Sequence, residues 1–199
     1  VIGGCVRRLW WWCPAVGLTC TMASGAPAKQ VAESCFSFLH TEVVNMSLSP
    51  EPTASELQLV GRKLEAMGFQ VGQRLAERYT KDRPRFIDTL EIIKFICKDF
   101  WFEIYGKQID KLQTNNRGVF MLQDNRHRLL SHCSPSAGRE TNAKTVAALH
   151  AKFPSGLIRG ALHGLGVAAA VAVDVTDLSA CQFTIKIQQQ WPLDGPKPS

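Results

Sequence analysis

ELQLVGRKLEAMGFQVGQRLAERYTKDRPRFIDTLEIIKFICKDFWFEI, residues 56–104, decides the fold. It reads as two amphipathic helices joined by a short basic turn. In the first, Leu57, Val60, Leu64, Met67, Val71 and Leu75 recur at steps of three and four, which makes one apolar stripe. Gly61, Gly68 and Gly72 lie along one edge of it. A glycine inside a helix costs about 0.5–1 kcal/mol relative to alanine. Three on one edge predict the close approach of another backbone. In the second helix Phe86, Leu90, Ile93, Cys97, Phe100 and Ile104 form a similar stripe, and Ile87, Ile92, Ile96 and Trp101 widen it. A one-sided surface helix has no use for so much apolar surface, so this helix is expected at the centre of the core. In the turn between them, Arg78-Tyr-Thr-Lys81-Asp-Arg83-Pro84-Arg85 is basic, and Pro84 suits a first helical turn.

Towards the N-terminus, residues 29–46 form another helical pattern, with Ala32, Cys35, Phe36, Leu39, Val43 and Met46 on one face. Pro50 and Pro52 break it, and Ser55 is positioned to cap the next helix. A helical hairpin therefore precedes the central helix. Towards the C-terminus, residues 105–117 read as a polar loop. Gly118-Val-Phe-Met-Leu-Gln123 reads as a buried strand, Asp124-Asn125 as a tight hairpin turn, and 126–130 as the returning strand. Residues 131–143, SHCSPSAGRETNA, read as a polar loop, and 144–152 as a weak helix. Ser155 can cap a helix over 156–165, whose Gly156, Gly160 and Gly164 suggest close packing, here assigned to the sheet. Two strands close the pattern: Val171, Val173 and Val175 share one side of the first, and Phe183, Ile185 and Ile187 one face of the second. The fold class is α+β, a four-stranded antiparallel sheet packed by helices.

The chain has 199 residues, 45% hydrophobic and 20% charged, which is enough for one domain with a full core. The net charge of +6 permits contact with an acidic membrane or partner but fixes neither. Seven cysteines without a C-x-x-C read as reduced core thiols in the cytoplasm. Residues 1–28 read as an extension, with Met22 a natural start and the first 21 residues a leader or gene-model addition; 189–199 read as a Pro-rich tail. The five histidines, His40, His127, His132, His150 and His163, fall in no arrangement with a nucleophile or metal ligands. There is no nucleophile elbow, Walker lysine or H-E-x-x-H, and no feature that points to nucleic acid. Asp88 and Glu91, one turn apart beside Lys94 and Lys98, read as a solvated helix face. No catalytic residue, metal or cofactor is therefore expected.

MGFQVGQRLAERYTKDRPRFIDTLEIIKFICKDFW from Met67, KQIDKLQTNNRGVFMLQDNRHRLL from Lys107 and GLIRGALHGLG from Gly156 occur in the order found in subunit six of the transport protein particle (TRAPP). The chain resembles that family over roughly residues 30–188, within an expected domain of residues 29–188. The resemblance implies the TRAPP small-subunit fold and a non-catalytic role in a vesicle-tethering complex. As a whole that complex acts as a Rab nucleotide-exchange factor in endoplasmic reticulum-to-Golgi and intra-Golgi transport. It implies that the first helix pair forms a heterodimer seam with a homologous small subunit, through Cys35, Phe36, Leu39, Val43, Leu57, Val60 and Leu64. It also implies membership of a larger TRAPP assembly, peripheral at the cis-Golgi and endoplasmic reticulum, where the basic surface could touch membrane. The palmitoylated TRAPP subunit carries an acceptor cysteine where this chain has Arg83, so lipidation does not carry over. A small-molecule or acyl-chain carrier is the rival reading.

Overall fold

Two helices that meet through their glycines bring the halves of the chain together. The computed structural model describes residues 32–49, 51–115, 118–131, 133 and 140–190. The expected N-terminal extension, most of the 131–143 loop and the tail beyond Gln190 lie outside the described residues. Helix α1 spans Glu33–Met46 and α2 spans Ala54–Thr80. The cap of α2 is Thr53, not the expected Ser55: its hydroxyl accepts the Glu56 N–H at 3.3 Å, and Glu56 in turn binds the Ser49 N–H and hydroxyl.

Helix α2 packs along α6, Lys152–Gly164. A Cβ at Gly68 would strike the carbonyl oxygen of Phe153, and one at Gly72 that of Leu157. The exclusion is reciprocal, because Gly156 faces the carbonyl of Glu65 and Gly160 that of Phe69. The glycine edge of α2 thus meets the backbone predicted for it. The α6 glycines, however, face α2 and not the sheet. It is Leu157, Ile158, Ala161 and Leu162 of α6 that enter the core with the strands. Helix α6 also begins four residues before its expected start at 156. Pro154 sits in its first turn, where a missing N–H removes no helical bond, and Ser155 is inside the helix.

The central element is one helical run in three parts: α3 (Thr89–Phe95), a π-helical turn (Ile96–Phe100) and α4 (Trp101–Tyr105). Asp88 and Glu91 are not merely a solvated face. Asp88 caps the helix by accepting the Glu91 N–H at 2.6 Å, and Glu91 reaches back past the cap to accept the Ile87 N–H at 2.8 Å, a variant of the capping box. Ile92, Ile93, Phe95, Ile96, Cys97, Phe100, Trp101 and Tyr105 are all buried, as expected of a core helix, whereas Ile87 is exposed. At the π turn the Trp101 N–H donates to Ile96 and Lys98, which leaves the Cys97 carbonyl to accept the Ile109 N–H at 2.9 Å. The extra residue therefore ties the helix to the chain leading into the sheet.

The sheet has four antiparallel strands in the order β1-β2-β4-β3: β1 Lys111–Thr114, β2 Val119–Asp124, β3 Val167–Asp177 and β4 Ala180–Gln190. Leu122 pairs with Phe183 and Val173 pairs with Phe183 from the other side, so the apolar rows align. Cys181, Phe183 and Ile185 are buried while Lys186 and Gln188 are exposed, the alternation read from the sequence. The hairpin partner of β2 is not 126–130. Those residues turn into a 3-10 segment, Arg128–Leu130, in which adjacent Leu129 and Leu130 are both buried. A half-exposed strand could not bury two neighbours. The real partner is β1, inside the stretch expected to be loop, reached through a turn with Gly118 at φ 73°. Helix α5, Glu140–His150, takes the last residues of the expected 131–143 loop and buries Ala143 and Ala147.

Candidate interaction surface

Helix α1 is docked by a narrow strip. Ser37, His40 and Val44 are buried, and the His40 ring lies 5.0 Å from His150 and 5.3 Å from Phe153. Val44 joins Val60, Leu64 and Leu149 in a small second core, with Val43, Leu48 and Leu57 half-buried around it. The apolar face read from the sequence lies beside this strip: Val43 is half-covered by the second core, and the rest of that face points outward. Leu39 is 64% and Met46 80% exposed; Cys35 and Phe36 are also exposed. On α2, Met67 and Val71 continue the Val60–Leu64 stripe beyond the cover of the chain's own residues, and Leu59 is exposed as well. Phe36 lies 6.0 Å from Phe153, whose carbonyl abuts Gly68, so the start of α1 lies level with that uncovered half of α2.

The expected seam residues thus divide. Cys35, Phe36 and Leu39 face outward, and Val43 and Leu57 are half-covered. Val60 and Leu64, 2% and 1% exposed, are spent inside the chain seating α1 and α5. The sequence reading missed Met67, Val71 and Leu59 as surface. Met67 and Val71 lie on one stripe with Val60 and Leu64, and periodicity alone cannot say where along a stripe the chain's own cover stops; Leu59 lies off that stripe.

One polar network is deeply buried. The Asp124 carboxylate accepts from Trp101 Nε1 at 3.1 Å, His127 Nδ1 at 3.0 Å and Lys107 Nζ at 2.5 Å. Burial alone would push its pKa up; the bonds from His127 and Lys107 outweigh that and bring it down to about 2. Asp124 was read as a turn residue. Its D-x-x-H spacing to His127 was the available signal. Cys181 pairs with Asp124 across β2 and β4, which brings cysteine, histidine and carboxylate together. Burial, and then the Asp124 charge, push the Cys181 thiol up, so it stays protonated and is no nucleophile. The cluster fastens the end of β2 to α4. Among the described residues, no three His, Cys, Asp or Glu side chains are grouped to hold a metal, and no helix is long and apolar enough to cross a membrane.

Arg83 bonds Asp99 at 2.7 Å, and its guanidinium lies 5.1 Å above the Phe95 ring.

The model of the transport protein particle (TRAPP) component family matches residues 36–188. Trafficking protein particle complex subunit 6b of Danio rerio is 46% identical over 157 residues, 79% of this chain and 98% of that protein. Subunit 6B of Homo sapiens is 46% identical over 158 residues, with the same shares. Subunit 6A of Bos taurus is 39% identical over 156 residues, 77% of this chain and 96% of that protein. Among solved structures, trafficking protein particle complex subunit 3 from Naegleria fowleri, covalently bound to palmitic acid, superimposes with a TM-score of 0.65 at 13% identity, over 78% of this chain and 95% of that one. At that identity the likeness concerns the fold alone.

Proposed function

Because the chain belongs to the TRAPP component family, we propose that it is a structural subunit of a TRAPP vesicle-tethering complex and pairs with a homologous small subunit. The observation that carries this reading is the exposed apolar residues of α1, Leu39 and Met46 with Cys35 and Phe36, together with the exposed Met67 and Val71 of α2. A large apolar patch left uncovered by its own chain marks a contact surface. Relatives that this chain matches over almost their whole length are named as complex subunits, which supports assembly here. On this reading the complex, peripheral at the cis-Golgi and endoplasmic reticulum, serves as a Rab exchange factor, and this chain contributes surface, not chemistry. Arg83, engaged with Asp99 and Phe95, takes the place aligned with an acyl-acceptor cysteine, so the palmitate of the subunit 3 structure is not proposed for this chain.

The test is co-expression with the homologous small subunits and size-exclusion chromatography. A one-to-one pair is expected. Leu39→Asp with Met67→Asp should separate it and leave the circular dichroism of the chain unchanged, since both side chains are exposed. A pair that survives both changes removes this seam from consideration.

A further inference from the structure

A second surface lies on another flank of α2. Leu57, Gln58, Gly61, Arg62 and Glu65 of α2 face Thr145, Ala148 and Leu149 of α5 and Lys152 of α6 across an open groove of about 310 Å³. Along the helix Gln58, Gly61, Arg62 and Glu65 are turned away from Met67 and Leu59 by more than a quarter of a revolution, with Leu57 at the edge between them, so the groove and the α1 seam are different faces. Its floor is apolar: Leu57 and Ala148 are partly exposed, above the buried Gly61 and Leu149. Gly61 differs here from the glycines further along α2. A Cβ on it would meet only Lys152 Cγ at 3.5 Å and Leu149 Cδ2 at 3.7 Å, an ordinary contact, so no backbone approach demands the glycine. The stem of Lys152 lies over it and leaves it buried.

The rim sets the chemistry of the occupant. Glu65 is neutralised by Arg159 at 3.1 Å. Arg62 and Lys152 have no ion-pair partner among the described residues, so two uncompensated cations flank the apolar floor. A volume near the bottom of the roughly 300–1,000 Å³ range of small-molecule sites, and open along its length, would not enclose a free ligand. It suits one or two large apolar side chains projecting from a chain segment, in the manner of a helix laid in a groove. We propose that this groove docks an acidic amphipathic helix of a partner protein, seating apolar residues one turn apart on Leu57 and Ala148 with carboxylates against Arg62 and Lys152. This goes beyond sister-subunit pairing and does not depend on it.

The probe is a synthetic fluorescein-labelled helical peptide with two leucines one turn apart flanked by glutamates; its control carries lysines in place of the glutamates. Both are titrated with the full chain by fluorescence anisotropy. The acidic peptide is expected to bind at least about tenfold tighter than the control, a preference that shrinks as salt is raised. Arg62→Glu, at an exposed position, should weaken it by about fivefold or more, and Ala148→Trp should fill the groove and abolish binding. Leu39→Asp with Met67→Asp should leave peptide binding intact, and Arg62→Glu should leave the subunit pair intact, so the two surfaces succeed or fail separately. Equal binding of both peptides, indifference to Arg62→Glu and Ala148→Trp, or no binding of the acidic peptide up to millimolar chain overturns the proposal.

Discussion

A helical glycine can be there because nothing else fits or because nothing requires more, and α2 contains both cases. At Gly68 and Gly72 a methyl group would collide with the carbonyls of Phe153 and Leu157, which belong to a facing helix backbone and cannot swing aside. At Gly61 the same methyl meets only side-chain carbons at van der Waals distance. Gly61→Ala should therefore stabilise the chain by up to about 1 kcal/mol, the helix-propensity difference. Gly68→Ala and Gly72→Ala should each destabilise it by about 1–3 kcal/mol or more through overpacking. Urea denaturation of the three variants checks the sign, and equal behaviour at Gly61 and Gly68 would mean the helices are not packed this way. The sequence made the close approach legible, because three helix-breaking residues on one edge need a reason. It did not reveal the partner. Gly156 and Gly160 carry the matching pattern, but a spacing of four names no opposing surface, and the nearest apolar candidate, the sheet, was the wrong one. Asp124 was hard to read for another reason: a short polar residue after a strand is ordinarily a turn, and beyond the nearby His127 it takes the distant Trp101 and Lys107 to make it a buried anchor.

Among the elements, α1 has the weakest claim to its place. Its buried strip is Ser37, His40 and Val44, and the largest of these is a titratable ring. Burial, then the proximity of His150 on α5 and of His127, lowers the pKa of His40 from 6.5 to about 4, against a bond to the His150 backbone that raises it. The unfolded chain binds a proton at His40 between these values and the folded chain does not. Stability from this group is therefore full above pH 6.5 and falls as the pH drops towards 4, by roughly 3 kcal/mol in all. Urea unfolding at pH 7.5, 5.5 and 4.5 should show that loss, and His40→Leu should flatten it; parallel curves for the two proteins would exclude His40 as the cause. At this scale most helices and the last two strands were legible, since strict periods of 3.6 and 2 survive in α2, β3 and β4. The edge strand β1 was not. Leu112 is the one apolar residue among Lys111–Thr114, and an edge strand needs no buried row of its own to be held by β2. The 3-10 turn at Arg128–Leu130 was read as a strand because adjacent leucines carry no period at all.

For the molecule as a whole, the division of labour between its two cores predicts how it opens. The main core joins α3, the π turn, α4, α6 and the sheet, with Trp101, Phe100, Phe183 and Leu157 at its centre. The second core holds α1 through Val44, Val60, Leu64 and Leu149. Local unfolding follows the element with the least buried apolar surface, and α1 leaves Leu39 and Met46 to solvent while burying little else. In the isolated chain, amide hydrogens of α1 should exchange well before those of α2, α6 and the central helix. A sister subunit that covers the outward face adds binding free energy to the docked state alone, so it should slow exchange in α1 far more than in the sheet. Hydrogen exchange read by mass spectrometry on the chain alone and in the pair separates the cases. If α1 is as protected as α6 when the chain is alone, or gains nothing when the pair forms, then the outward face is not where the partner binds, however apolar it is.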